Sequence, residues 1–352
     1  MVRFGRRDVP PPARKRSAWA GPPPLLILVT LVGLLVAPFL DHEADAPQAE
    51  LTAATSYAEA PEFLKQPRPI LGQVLAPVRG GVLSAGLKPV RLKPVELGVA
   101  SFNMFRQLSS AHASHDAHAL TRQSGVDVVG WQEAYPFTDV LRGLRGWDTK
   151  TFSVGKRTTE LAVSWRSREF SLVSARQIEV ARGVSPRVGR YPFPNRQVAI
   201  VTLKHRATGR LLTVLNTHLP WSIEDLGRPG HWTPTINTLR ARRQLSRLAE
   251  TIKRAEGRWV VATGDFNFDA GADTRYQPPG GPVRALGEVA TSSYQQLGRE
   301  VSPTFPENGR RIDYVWANRA AYHSGRIRFT KQWVLGGLYS DHNALITRMR
   351  LD

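Results

Sequence analysis

The feature that most constrains this chain is a set of apolar, β-forming runs that each stop on a polar residue. The sharpest is residues 260–269, Val-Val-Ala-Thr-Gly-Asp-Phe-Asn-Phe-Asp. Side chains alternate between the two faces of a strand, so Asp265 and Asn267 share one face while Phe266 and Phe268 point into a core on the other. A buried strand that ends on a carboxylate and a carboxamide together suits a hard cation and a phosphate oxygen. Taken alone, the same residues fit an ordinary strand end with an Asx-type turn. Partner segments decide between the two.

Such partners recur along the chain. Residues 97–103 end on Asn103 and residues 127–133 on Glu133. A hairpin of 198–205 and 211–215, turning at Ala207-Thr-Gly-Arg210, runs into Asn216 and His218. Asp313 interrupts the apolar stretch 310–316, where an unpaired carboxylate is costly, and His342, beside Asp341 in an expected strand over 339–346, is its expected partner. Further strands are expected at 161–165, 170–179 and near 327–330, with helices at 109–124, 235–256 and a short piece at 282–290. In 235–256 an apolar stripe (236, 239, 245, 248, 249, 252) leaves the arginines on a solvated face. His112, His115 and His118 recur at i+3 and read as a polar helix face, since no carboxylate motif frames them. The loop 221–235, with Gly, Pro, Trp and His, is long enough to touch a ligand. Strands and helices alternate without strict βαβ regularity, which predicts an α/β fold with mixed sheets.

Bulk composition narrows the chemistry. Hydrophobic residues make up 41% of the 352, ample for a sizeable core, and cysteine is absent. That excludes disulfides, thiolate metal sites and cysteine nucleophiles. The net charge is +19; 12 Lys/Arg against 7 Asp/Glu precede Glu96, leaving 36 against 22, or +14, for the rest. The basicity belongs mainly to the folded part and favours polyanions such as nucleic acid or anionic headgroups.

Four segments follow from the patterning. Residues 1–24 are basic and proline-rich, with six cations from Arg3 to Arg16, and residues 25–40 are apolar apart from Thr30. Sixteen helical residues span about 24 Å, a little short of a hydrocarbon core of about 30 Å. The segment reads as a transmembrane signal anchor or the apolar region of a signal peptide. The positive-inside rule then puts 1–24 in the cytoplasm and the remainder outside: at the cell membrane as a single-pass protein, or secreted if the segment is cleaved. Residues 41–94 read as a flexible linker and 95–352 as the folded domain.

The ordered set of polar strand ends resembles the endonuclease/exonuclease/phosphatase superfamily, which includes deoxyribonuclease I. The matching pieces are Ser101-Phe-Asn103, Gln132-Glu133, Asn216-Thr-His218-Leu219, Gly264-Asp-Phe-Asn267, Arg311-Ile-Asp-Tyr314 and Ser340-Asp-His342. The resemblance implies a deoxyribonuclease I-like four-layered α-β-β-α sandwich with two mixed β-sheets and a site at one rim. It implies Mg²⁺, or Mn²⁺, held by Glu133 with Asn103 and Asp341 close by, and Asp265 as the residue that handles the attacking water or, in a two-metal variant, binds a second ion. Asn267 and Asn216 would bind phosphate oxygens, His218 and His342 would stabilise the transition state, and Asp313 would hold His342 cationic. Phe105 stands where abasic-site members often carry an acidic residue, and Arg311-Ile-Asp-Tyr314 departs from the inositol phosphatase pattern. The expected activity is an exported, metal-dependent phosphodiesterase, most simply a monomeric nuclease. The alternatives are a sphingomyelinase- or phospholipase C-like enzyme or a phosphatase of the same superfamily, and, in another class, a non-catalytic membrane-tethered binding domain.

Overall fold

The computed structural model describes residues 93–153, 159–185 and 193–352. The basic segment 1–24, the apolar segment 25–40 and nearly all of the linker 41–94 lie outside the described residues. Among those described, no helix is long and apolar enough to cross a membrane.

In chain order the strands are β1 (Val95–Asn103), β2 (Val128–Gln132), β3 (Trp147–Ser153), β4 (Thr159–Arg166), β5 (Phe170–Ala181) and β6 (Arg196–His205). They continue with β7 (Leu211–His218), β8 (Trp259–Asp265), β9 (Ala290–Ser292), β10 (Asp313–Asn318), β11 (Ile327–Leu335) and β12 (Ala344–Leu351). The helices are α1 (Ser110–Thr121), α2 (Thr138–Arg142), α3 (Ile236–Arg254), α4 (Ala270–Tyr276), α5 (Pro282–Leu286), α6 (Ser293–Leu297) and α7 (Arg319–His323). Two six-stranded sheets result, in the orders β11-β12-β1-β2-β4-β3 and β5-β6-β7-β8-β10-β9. Each is mixed, with one parallel pair, β1–β2 or β7–β8, among antiparallel neighbours. The expected four-layered sandwich is the observed one.

Burial explains the layering. β7 and β8 are buried on both faces, which their near-continuous Val/Leu/Ala runs permit. The two sheets meet over Val99, Val128, Val214, Val261 and Val315. On the outer face of the first sheet, Phe102, Trp131 and Ile346 pack under Ala113, Ala117 and Leu120 of α1. α3 buries Ala241, Leu245 and Leu248 against the second sheet. Each of the buried Val, Leu, Ile and Phe side chains contributes about 1.5–3 kcal/mol by leaving water, and each Ala less. Helix starts are capped as the sequence suggests: the Ser109 and Thr235 hydroxyls accept from the backbone N–H of His112 and Thr238.

The topology brings one end of many strands to a single rim. β1, β2, β7 and β8 arrive there with their C-termini, and the antiparallel β4, β6, β10 and β12 with their N-termini. Register places Asn103 beside Gln132, His218 beside Asp265, and Asp265 beside Asp313. Two elements differ from expectation. Trp147–Ser153, polar from Asp148 through Thr151, forms the edge strand β3 where none was predicted. Residues 339–343 form a loop that precedes β12, so Asp341 and His342 reach the rim from the start of a strand.

Candidate active site

The rim carries a cleft of about 380 Å³, and its wall includes Asn103, Glu133, His218, Asp265, Asn267, Asp341 and His342. Among the described residues, three of the five non-glycine residues with left-handed φ line it: Phe105 (52°), Glu133 (52°) and Asn267 (49°). Such conformations cost about 1–3 kcal/mol and persist where surrounding structure enforces them. At Glu133 the turn ends β2 and aims the carboxylate at the cleft.

Asp265 lies at the centre. Its Oδ2 is 3.4 Å from His218 Nε2 and 3.6 Å from His342 Nε2, and it accepts a hydrogen bond of 3.0 Å from Asn103 Nδ2. Its Oδ1 accepts from the Asn267 backbone N–H at 2.9 Å. Each imidazole is backed by a second buried carboxylate. His342 Nδ1 is 2.9 Å from Asp313 Oδ2, and His218 Nδ1 is 2.5 Å from Glu160 Oε1. Glu160 also meets Arg196 at 3.2 Å.

The charges follow from burial and these neighbours. Burial works against a charged His342, but Asp313 and Asp265 outweigh it and raise its pKa to about 9. Burial raises Asp313 to about 6 against the pull of His342. The pair is therefore ionised near neutrality. Burial would raise Glu133, yet the Arg106 hydrogen bond and the charges of His218 and Arg106 hold it at about 2. Burial raises Asp341, and Glu133 and Asp265 add to the rise while His342 opposes it.

Two further contacts hold the loops. Asp116 of α1 accepts from the backbone N–H groups of Tyr339 and Ser340 at 2.9 Å each, fixing the loop that bears Asp341 and His342. Glu224, buried in the loop after β7, pairs with Arg310 and accepts from the Asp269 N–H at 2.9 Å.

With this geometry in view, the sequence model described as "Endonuclease/Exonuclease/phosphatase family" matches residues 100–342. The chain belongs to that family. It is a hydrolase of the endonuclease/exonuclease/phosphatase superfamily. Compared with curated protein sequences it has no significant match. Among solved structures it is similar to an endonuclease/exonuclease/phosphatase family protein from Bacteroides thetaiotaomicron, with 19% identity, a TM-score of 0.55, and coverage of 74% of this chain and 100% of that one. It is also similar to D. rerio TDP2 complexed with single strand DNA product, at 16% identity and TM-score 0.54, covering 72% and 98%. A third is the mannosyl-6-phosphatase of B. thetaiotaomicron, at 19% identity and TM-score 0.51, covering 72% and 99%. These likenesses establish the fold.

Members of the family generally use divalent metal ions. Among the described residues no three His, Asp or Glu side chains converge as a metal cage. The donor set nonetheless fits a hard cation, because Mg²⁺ keeps several waters and takes one or two carboxylates. Glu133 is ionised and Asp341 is disfavoured by Glu133 and Asp265, so the cleft carries negative charge that a cation would relieve. Arg106 supplies part of that relief here, with its Nε 3.0 Å from Glu133 Oε2.

Of the residues singled out in the sequence, Asn103, Glu133, His218, Asp265, Asn267, Asp341 and His342 meet in the cleft, and Asp313 lies directly behind His342. Asn216 does not reach it. It is fully buried between the sheets, donating to the carbonyls of Trp131 (2.7 Å) and Ala162 (3.0 Å). Residues 216 and 218 share a strand face, so Asn216 sits about 7 Å below the rim. The structure places it as a strut between sheets, where phosphate was expected. The histidines of α1 are likewise occupied: His112 stacks on Tyr339 and His118 Nδ1 faces the Ser114 carbonyl. Sequence reasoning missed Glu160, Arg106, Arg196 and Asp116. Glu160 alone left a signal, an acid directly before the apolar run 161–165.

Proposed function

We propose that the protein is an exported, divalent-metal-dependent phosphodiesterase acting on nucleic acid. The observation that carries the reading is Asp265 set between two imidazoles, each backed by a buried carboxylate. In this reading Asp265 orients the attacking water and draws its proton. His342, cationic near neutrality, and His218 donate to the phosphate oxygens as charge grows, aided by the Asn267 carboxamide. Glu133 and Asp341, with the Asn103 carboxamide, would hold Mg²⁺ or Mn²⁺. The ion supplies Lewis-acid stabilisation of the phosphoryl oxygens.

Nucleic acid is favoured over a phosphosugar or lipid by the wall of the cleft. Phe105, Phe193, Trp221 and Phe305 share it with Arg106 and Arg196, and Trp221 is 47% exposed. Aromatic faces beside guanidinium groups suit bases and their phosphates. Export rests on residues 25–40 behind the six cations. Protease digestion of the C-terminal domain on intact cells tests that part.

Asp265→Asn and His342→Gln should each lower Mg²⁺-dependent hydrolysis of a generic phosphodiester by about 10²–10⁴-fold, with the native fold retained by circular dichroism; glutamine keeps a donor for the buried Asp313. Retained activity in either variant would sink the mechanism. A parallel assay on DNA, RNA, sphingomyelin and a sugar phosphate tests the substrate class; turnover confined to lipid or sugar phosphate refutes the nuclease reading.

A further inference from the structure

The arginines of α3 were expected to form a solvated face, yet part of that face lines a groove. Arg240, Arg243 and Arg247 recur at i, i+3 and i+7, one row on a helix. The row looks onto β5, the edge strand of the second sheet. Between them lies a groove of about 400 Å³, which Arg182 at the end of β5 also lines. A second hollow between the same elements, about 350 Å³, adds Arg176 and Arg254.

The acids nearby neutralise only one member of this row, Arg247. Glu250 is 2.9 Å from Arg247, and Glu179 accepts from Asn195 Nδ2 at 2.8 Å. Among the described residues Arg182, Arg240 and Arg243 form no ion pair, and the buried Nε of Arg240 has no hydrogen-bond partner. Unpaired cations this close repel one another and await an anion with several charges.

The groove also adjoins the cleft. Ala181, on its wall, is the register partner of Arg196, on the wall of the cleft. Paired strands lie about 4.8 Å apart, so among the described residues the wall of the groove begins one strand from the wall of the cleft. The Gly183 N–H donates to Asn195 Oδ1 at 2.7 Å and ties the two together.

We propose that this groove binds the sugar-phosphate backbone of single-stranded nucleic acid, holding the stretch of substrate that extends beyond the cleft. The proposal rests on the nuclease reading of the cleft. A flexible single strand enters a groove between helix and sheet edge, whereas a bilayer presents a plane that touches only its lips. Neutralised phosphates release counterions, so single-strand affinity falls with salt at a slope of about −0.7 per phosphate.

The test uses the full chain with divalent metal chelated, so that binding is read without hydrolysis. Fluorescence anisotropy is followed over a salt series with labelled single strands of three and of about 20 nucleotides, the longer covering a typical single-strand site. The triple variant Arg240→Gln/Arg243→Gln/Arg247→Gln should bind the long strand at least about tenfold more weakly and reduce its salt slope by about 2. Affinity for the short strand should stay at the wild-type value, and the triple Arg→Lys variant should restore the slope. Unchanged long-strand affinity and slope overturn the proposal. So does a loss seen with phosphatidylserine vesicles and not with the oligonucleotide. If the wild type with Mg²⁺ cleaves no nucleic acid, the nuclease reading fails separately, while the binding series still judges the groove.

Discussion

At the scale of single residues, the cleft keeps an imidazolium charged inside a buried environment. His342 is 4% exposed and would lose its proton easily if burial alone acted. Asp313 and then Asp265 reverse this, raising its pKa to about 9, while Asp313 itself rises to about 6 through burial. The ion pair therefore exists between about pH 6 and about pH 9. Because the histidine's folded pKa lies above its ordinary value, the cation is fully present below about 6.5 and is lost as pH rises through 9. Asp313→Asn removes the nearest opposing charge, so burial again dominates. The alkaline limb of kcat/KM should then move down by about 1–3 pH units, the usual effect of one close carboxylate. A pH–rate profile on a generic phosphodiester measures it. An unmoved limb would mean that a different group governs that side of the profile.

At the scale of elements, the loop 339–342 has no regular structure of its own to hold Asp341 and His342. α1 provides it. Asp116, fully buried, receives the N–H groups of Tyr339 and Ser340, and the Ser340 hydroxyl donates to the Asn103 carbonyl at 2.8 Å. Hydrogen bonds to a buried carboxylate contribute about 1.5–3 kcal/mol each. Asp116→Ala should therefore lower stability by a few kcal/mol at most, and lower kcat by more than it raises KM, because the imidazolium loses its position. Faster amide exchange at 339–342, with the β1–β12 ladder still protected, is the structural signature to look for. This is also where the sequence was least legible. Asp116 sits among three histidines and reads as part of a polar helix face; its partner is 223 residues away. The loop itself was read as part of a strand because residues 344–346 carry the apolar pattern into β12. By contrast the strands ending in Asn103, Glu133, His218 and Asp265 were legible, since period-2 alternation and burial act locally. Glu160 shows the limit of local reading: its meaning comes from His218 and Arg196 on two strands of the other sheet.

At the scale of the whole molecule, the site is the top layer of a polar ladder that runs down between the two sheets. Alternation carries each rim residue's face inward by two: below His218 lies Asn216, below Asp265 lies Thr263, below Asn103 lies Ser101. Gln132 donates to Asn216 Oδ1 at 2.7 Å and to Ser101 Oγ at 3.3 Å, and Thr263 Oγ1 donates to Asn216 Oδ1 at 3.1 Å. The bond from Gln132 to Asn216 crosses from one sheet to the other and the other two brace it within each sheet, which explains how Asn216 can resemble a site residue in sequence and yet serve the packing. The sheets approach closely here because residue 130 has no side chain. A Cβ at Gly130 would lie 2.0 Å from Thr263 Oγ1 and 2.9 Å from Asn216 Oδ1. Gly130→Ala should thus destabilise by about 1–3 kcal/mol or more through overpacking, read as a lower urea midpoint with an unchanged m-value. Thr263→Ala removes the nearer obstacle, so the double variant should be more stable than additivity allows, with a coupling of about 0.5–3 kcal/mol. Simple additivity would mean that the sheets part elsewhere to admit the methyl group. In that case the ladder does not set their spacing, and activity in Gly130→Ala should fall with the displaced rim.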